Sequence, residues 1–195
     1  MTEVAMRERA AGRNAEGASI KTTAALHTIV GLAIMGMLAF GLYMVGMPKS
    51  AFRTWLYNLH NSIGLTILAI VLVQAYWRAR VGWPAPLTRQ SAVEHYTKRV
   101  VQWTLVLGTL LMPVTGILVR LGGGWGLKFL GVVLVPFARV HKAAPHPALY
   151  HWATDAHYWI ARILIATLVI HILATLKHQF VDRDRTLARI LGRET

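Results

Sequence analysis

Apolar residues in this chain gather into four blocks, at residues 23–47, 56–77, 100–119 and 153–176, and the stretches between them hold most of the charge. A block of about 20 residues makes enough helix to cross a hydrocarbon layer roughly 30 Å thick. Within the blocks the apolar residues show no one-sided helical period, as expected for helices immersed in lipid. The pattern predicts an all-α fold, a four-helix transmembrane bundle. The first block stops at Pro48 and Lys49, and the second at Arg78 and Arg80 before a turn region at 84–86. Pro113 and Gly116 fall inside the third, where a proline should kink the helix and neighbours must satisfy the freed carbonyl.

Two polar stretches flank this core. Residues 1–20 lack the apolar centre of a secretory signal and read as a flexible cytoplasmic leader, residues 21–180 as the membrane domain, and residues 181–195 as a cytoplasmic tail. Residues 125–140 are apolar but short and Gly-rich, so an outer-surface helix or a re-entrant piece is expected there.

Charge sets the orientation. The leader, the second loop and the tail carry fourteen Lys and Arg, among them Lys21, Arg78, Arg99 and Lys177. The first and third loops hold six: Lys49, Arg53, Arg120, Lys128, Arg139 and Lys142. The positive-inside rule then puts both termini of a multi-pass protein in the cytoplasm. Trp55, Trp77, Trp83, Trp125, Trp152 and Trp159 lie near predicted ends, where interfacial anchors belong. A net charge of +13 could suggest nucleic acid, but the bases flank apolar blocks and form no soluble basic face, so none is expected.

The chemistry available is narrow. With 55% hydrophobic residues and no cysteine, the chain has no disulfide, no iron–sulfur ligation and no thioether-linked haem. Histidine remains, and three of the four blocks contain it. An imidazole inside a membrane span is a functional group by default.

Depth sorts the histidines into pairs. His27 lies six residues beyond Lys21 and His171 six before Lys177, each about 9 Å inside the cytoplasmic end. His60 is eighteen residues before Arg78 and His157 twenty before Lys177, about 27 and 30 Å from that side. His157 and His171, fourteen residues apart, share one face about 21 Å apart along the helix. The expectation is one haem iron between His27 and His171 and another between His60 and His157, two haem b in all. His178 falls at the aqueous boundary, His151 points away from His157, His95 is interfacial, and His141 and His146 lie in the outer loop. Two imidazoles fill both axial positions, which suits electron transfer and leaves no open site for oxygen. Arg53 and Lys49 on one side, and Arg99 and Lys177 on the other, are candidates to pair with haem propionates.

These residues resemble the bacterial cytochrome b561 family over most of the chain, from about Lys21 to Gly192. The resemblance rests on His27, His60, the run Met112-Pro113-Val114-Thr115-Gly116, and the tail from His171 through KHQFVDRDRTLARIL. It implies a four-helix bundle with two b haems that exchanges electrons with ubiquinone. In one branch it implies oxidation of superoxide at the outer face. Relatives tend to carry a histidine where this chain reads Arg99-Val-Val-Gln102, and an arginine where it has Gln74.

The leading expectation is a superoxide:ubiquinone oxidoreductase, with an outer mouth of Lys49, Arg53, Arg120, Lys128, Arg139 and Lys142, joined by His141 and His146, steering the anion. The alternative is a cytochrome b anchor subunit that relays electrons for a hydrogenase- or dehydrogenase-like partner, so that the outer partner is superoxide or a periplasmic redox protein. A metal transporter ranks low, because no Asp or Glu lies inside the first three blocks.

Overall fold

The computed structural model describes residues 3–82, 92–138 and 144–181, with side chains described from residue 17 onward except at 178. Four helices dominate: α1 (Glu3–Val45), α2 (Ala51–Val81), α3 (Ala92–Gly122) and α4 (Pro147–Phe180). Their membrane-length parts are Gly17–Val45, Ala51–Val81, Ala92–Gly122 and Pro147–Lys177. Each of the last three extends past its apolar block by a turn or more, into the charged residues that flank it. α1 carries helical backbone back to Glu3, through the segment read as the leader. The tail from residue 182 on, Trp83, the 84–86 turn, Arg89, Arg139, His141 and Lys142 lie outside the described residues.

Local signals fix the ends. Ser50 caps α2, its hydroxyl accepting from the Arg53 amide at 3.1 Å. Gly82 closes the same helix with φ of 77°. Pro147 opens α4, where a missing amide costs nothing. α3 stays one helix through Pro113.

The bundle is apolar outside as well as inside. Val45, Val100, Trp159 and Leu173 are each at least 60% exposed, a surface that only lipid would cover. Polar side chains inside the spans turn back on their own helix, as Ser62, Thr66, Thr115 and Thr175 do by donating to the carbonyl four residues earlier. That satisfies hydroxyls where water is absent.

A core of Val30, Ile34, Leu38, Ile67, Val71 and Leu164 fills the middle of the bundle. The intimate helix pairs are α3 with α4 and α1 with α2. Between α3 and α4 the register is regular. Gly108, Thr115 and Gly122 recur every seven residues on α3, and they meet Leu164, His157 and Tyr150 on α4. Small residues at heptad spacing let two backbones approach closely in a membrane. α4 meets α1 and α2 through side chains, Leu164 among them, with few close backbone approaches.

Residues 125–140 correct an expectation. The described part forms neither a surface helix nor a re-entrant one but a β-hairpin, β1 (Leu127–Phe129) against β2 (Val132–Val135), antiparallel with Phe129 opposite Val132. Leu130 and Gly131 both take positive φ, 48° and 91°, as a two-residue hairpin turn requires. The Leu130 amide donates to Ser62 Oγ at 3.2 Å, which fixes the turn on α2. A Val-rich run after a glycine favours strand over helix, and the apolar content masked that signal. Opposite the hairpin end of the bundle, Trp77 donates to Thr23 Oγ1 at 2.9 Å and Lys177 pairs with Glu94 at 3.7 Å.

Candidate functional site

The four membrane histidines meet as two pairs. His27 of α1 faces His171 of α4 with ring centres 6.1 Å apart and planes at 67°. His60 of α2 faces His157 of α4 with centres 6.4 Å apart and planes at 74°. Both are the pairs that depth counting joins. Among the described residues no three His, Cys, Asp or Glu come together, so each meeting offers two nitrogen ligands and no more. A structural zinc asks for four protein ligands and a catalytic one for three, whereas haem brings four nitrogens and asks the chain for two.

Spacing tests the fit. A first-row metal binds imidazole nitrogen at about 2.0 Å, with the ring centre roughly 1.1 Å beyond, so two rings on opposite sides of one metal have centres about 6 Å apart. Both pairs meet that spacing.

The hairpin-end pair has room around it. Ile34, Met37, Gly64, Met112 and Pro113 line, with the two histidines, an apolar cleft drawn from all four helices. Two glycines sit beside the rings. A β-carbon at Gly116 would stand 3.3 Å from His157 Cε1, and one at Gly41 3.6 Å from His60 Cε1. His60 Nδ1 is buried and has no hydrogen-bond partner among the described residues. An orphaned buried imidazole nitrogen in a cleft of this shape suits a bound planar group.

His157 is held more tightly. Thr115 Oγ1 lies 3.0 Å from its Nδ1. The single hydroxyl hydrogen of Thr115 is directed to the carbonyls of Leu111 and Met112, at 3.0 and 2.9 Å. With that hydrogen on either carbonyl, a lone pair faces the imidazole, and the matching tautomer is the one with the proton on Nδ1 and Nε2 as the free base. The motif residues Thr115 and Gly116 thus act together: one sets the tautomer, the other makes space for the ring.

Charged neighbours divide by what they already hold. Arg53 lies two turns before His60 on the same face of α2; it donates to Tyr57 Oη at 3.1 Å, yet its Nε is buried and has no partner among the described residues. Arg120, expected as part of an open cationic mouth, is engaged in the fold. It donates to the carbonyls of Gly126 and Trp125 and to Asn58 Oδ1, at 2.9, 3.1 and 3.2 Å, tying α2 and the hairpin to α3. Lys49 and Lys128 are exposed, and Lys177 is paired with Glu94.

The other histidines stay apart. His95 is exposed in the first turn of α3, His151 exposed on α4 beside Tyr150, and His146 caps α4. The side chain of His178 lies outside the described residues. Two features escape a reading by blocks and charges. The role of Thr115 needs the neighbouring helix, and Arg162 belongs to neither set of flanking bases because it lies mid-helix.

A family model described as "Prokaryotic cytochrome b561" matches residues 21–193. "Cytochrome b561 homolog 2" of Escherichia coli is 29% identical over 176 residues, covering 89% of this chain and 90% of the relative. "Probable superoxide oxidase CybB" of Yersinia pestis is 22% identical over 149 residues, 76% of this chain and 82% of the relative.

Proposed function

The chain belongs to the prokaryotic cytochrome b561 family, a multi-pass electron-transfer protein of the membrane, and from that premise we propose that it binds two haem b and moves single electrons from superoxide to ubiquinone. The supporting observation is the pair of histidine meetings, 6.1 and 6.4 Å between ring centres, at two levels of one bundle. Each haem, when bound, supplies a one-electron iron couple. His27 with His171 and His60 with His157 would hold these groups, two imidazoles to each, a ligand set that suits electron relay more than oxygen activation. Leu164, 1% exposed and seven residues from each of its helix's ligands, seals the bundle between the two levels.

The hairpin end faces outward on this reading, with both termini cytoplasmic, because basic residues crowd the opposite end. Arg53, Lys49 and Lys128 then give the outer mouth its positive charge and attract a small anion. Arg53, with its unsatisfied Nε two turns from His60, is the residue to meet a haem propionate. Two superoxide anions each lose one electron to become oxygen, and ubiquinone takes up both electrons with two protons to become ubiquinol. A relay for a separate dehydrogenase would lack the first of these steps. The name of the Yersinia relative points to the superoxide branch.

Purified chain, given a superoxide generator and a soluble quinone analogue, should show b-type bands reduced by superoxide and reoxidised by quinone. A pyridine haemochrome assay should return two haems per chain. Two haems with no superoxide-driven reduction would restrict the protein to quinol-linked relay, and a colourless folded preparation would end the reading altogether.

Thr115 gives a finer prediction. Its bond makes His157 a richer donor and favours ferric iron. Thr115→Val should raise the midpoint of one haem by roughly 20–60 mV, from a hydrogen bond of about 0.5–1.5 kcal/mol at 59 mV per tenfold. Thr115→Ser should restore it, and a redox titration in which neither midpoint moves would refute the role.

A further inference from the structure

The β-hairpin runs along α2 toward the middle of the span. At its base Arg120 joins Asn58 to the Gly126 carbonyl, and one turn further along α2 Ser62 holds the Leu130 amide at the tip. Depth can be counted from both ends of α2. Ser62 lies sixteen residues before Arg78, about 24 Å, and so roughly 6 Å inside a boundary drawn about 30 Å from that end. It also lies seven residues, about 10 Å, beyond Trp55, an exposed ring where an aromatic belt marks the headgroups. Both counts put the tip about 5–10 Å into the layer, the depth of elements that lie in the face of a bilayer.

The side chains say what surrounds it. Phe129 to Phe137 carries no polar side chain. Consecutive strand residues point to opposite faces. Val132, opposite Phe129, and Val133, opposite Lys128, are consecutive, and both are more than half exposed. A strand with one wet face alternates polar with apolar residues, and a strand docked on a protein hides one face and wets the other. Apolar groups on both faces ask for a medium that wraps the strand, as lipid wraps the helices beside it. An open strand edge is not tolerated at the hydrocarbon centre, so the insertion is shallow. On the bundle side, side chains meet the hairpin's backbone: Ser62 takes the Leu130 amide, and Arg120 the carbonyls of Trp125 and Gly126. Lys128, the single charge in residues 121–138, is exposed, and its stem is long enough to return the ammonium to the headgroups.

We infer that the hairpin is a lipid-inserted anchor, lying in the leaflet at its own end of the bundle with Leu130, Val132 and Val133 among the acyl chains and Trp125 and Lys128 at the headgroups. The inference rests on the four spans and does not depend on the haem reading.

The absence of cysteine makes the test direct. Single-cysteine variants of the full chain take a nitroxide label and are placed in vesicles of phosphatidylcholine and phosphatidylglycerol. Electron paramagnetic resonance then reads collisions with oxygen, which concentrates in lipid, and with a nickel chelate, which stays in water. Leu107→Cys, exposed at the middle of α3, sets the lipid pattern, and Lys49→Cys, exposed in the first loop, the aqueous one. Val132→Cys and Val133→Cys should both follow Leu107→Cys, with oxygen reaching the label and the chelate lost, and Leu130→Cys at the tip should do the same. Two faces and a tip give three separate readings, so one misfolded variant leaves the others to decide. A chelate that reaches either face as it reaches Lys49→Cys would put the hairpin in water and overturn the proposal. Loss of both collisions at one face would overturn it too, since a protein, a second copy or another chain, would then cover that side.

Discussion

With a haem at each proposed pair, a His171→Ala chain is expected to hold one haem in place of two, with the His60–His157 site still filled. His27→Ala should give the same spectrum, because the two rings face one another and a group held between them would lose half of its protein ligands with either one. His60→Ala and His157→Ala should remove the other haem and match each other likewise. The pairwise identity of the losses is the sharp part, since four unrelated structural histidines would give four unrelated outcomes. Each loss also costs stability: the surviving imidazole is left buried without its partner, about 1–3 kcal/mol, and the stabilisation from bound cofactor disappears. Pyridine haemochrome ratios and low-temperature spectra of the four single variants check it. A variant of His27 that kept both haems while His171→Ala lost one would break the pairing.

Much of this was legible in the chain because helical rise is regular. Counting residues from Lys21, Arg78 and Lys177 gave the depths of His27, His60, His157 and His171, and depth alone chose which ring meets which. The hairpin was not legible. Its Val-rich strands share their apolar content with a membrane segment, and the two-residue turn at Leu130 and Gly131 needs the Ser62 hydroxyl on another helix to hold it. Thr115 lay within a recognisable run, yet its action on His157 requires knowing that residue 115 of one helix stands level with residue 157 of another. Arg120 shows the opposite error. A flanking base reads as free charge in a count of loops, whereas here three hydrogen bonds spend it on the fold. Arg162 went unread because charge was sought only at the ends of spans.

The α3–α4 register yields the second large effect, at Gly122. A β-carbon there would lie 2.8 Å from the backbone nitrogen of Tyr150, 3.1 Å from its Cα and 3.2 Å from the carbonyl carbon of Leu149. All three atoms are main chain and cannot rotate aside. The same junction carries the bond from the His146 amide to the Gly122 carbonyl, 3.2 Å long. Gly122→Ala must therefore push the start of α4 off the end of α3, at an overpacking cost of about 1–3 kcal/mol or more. The displacement travels along a stiff helix: Tyr150 is two turns from His157, as Gly122 is two turns from Thr115. The histidine pair at the hairpin end should suffer first. The variant is expected to unfold at lower temperature and to shed the haem between His60 and His157 before the other one. Gly31→Ala is the matched control, since nothing lies within 4 Å of a β-carbon at that position. There the gain in helix propensity, up to about 1 kcal/mol, should leave the chain as stable as before or more so. Thermal unfolding followed at the haem bands separates the two; equal midpoints for both variants would mean that the close approach of α3 and α4 does not set the geometry of the site.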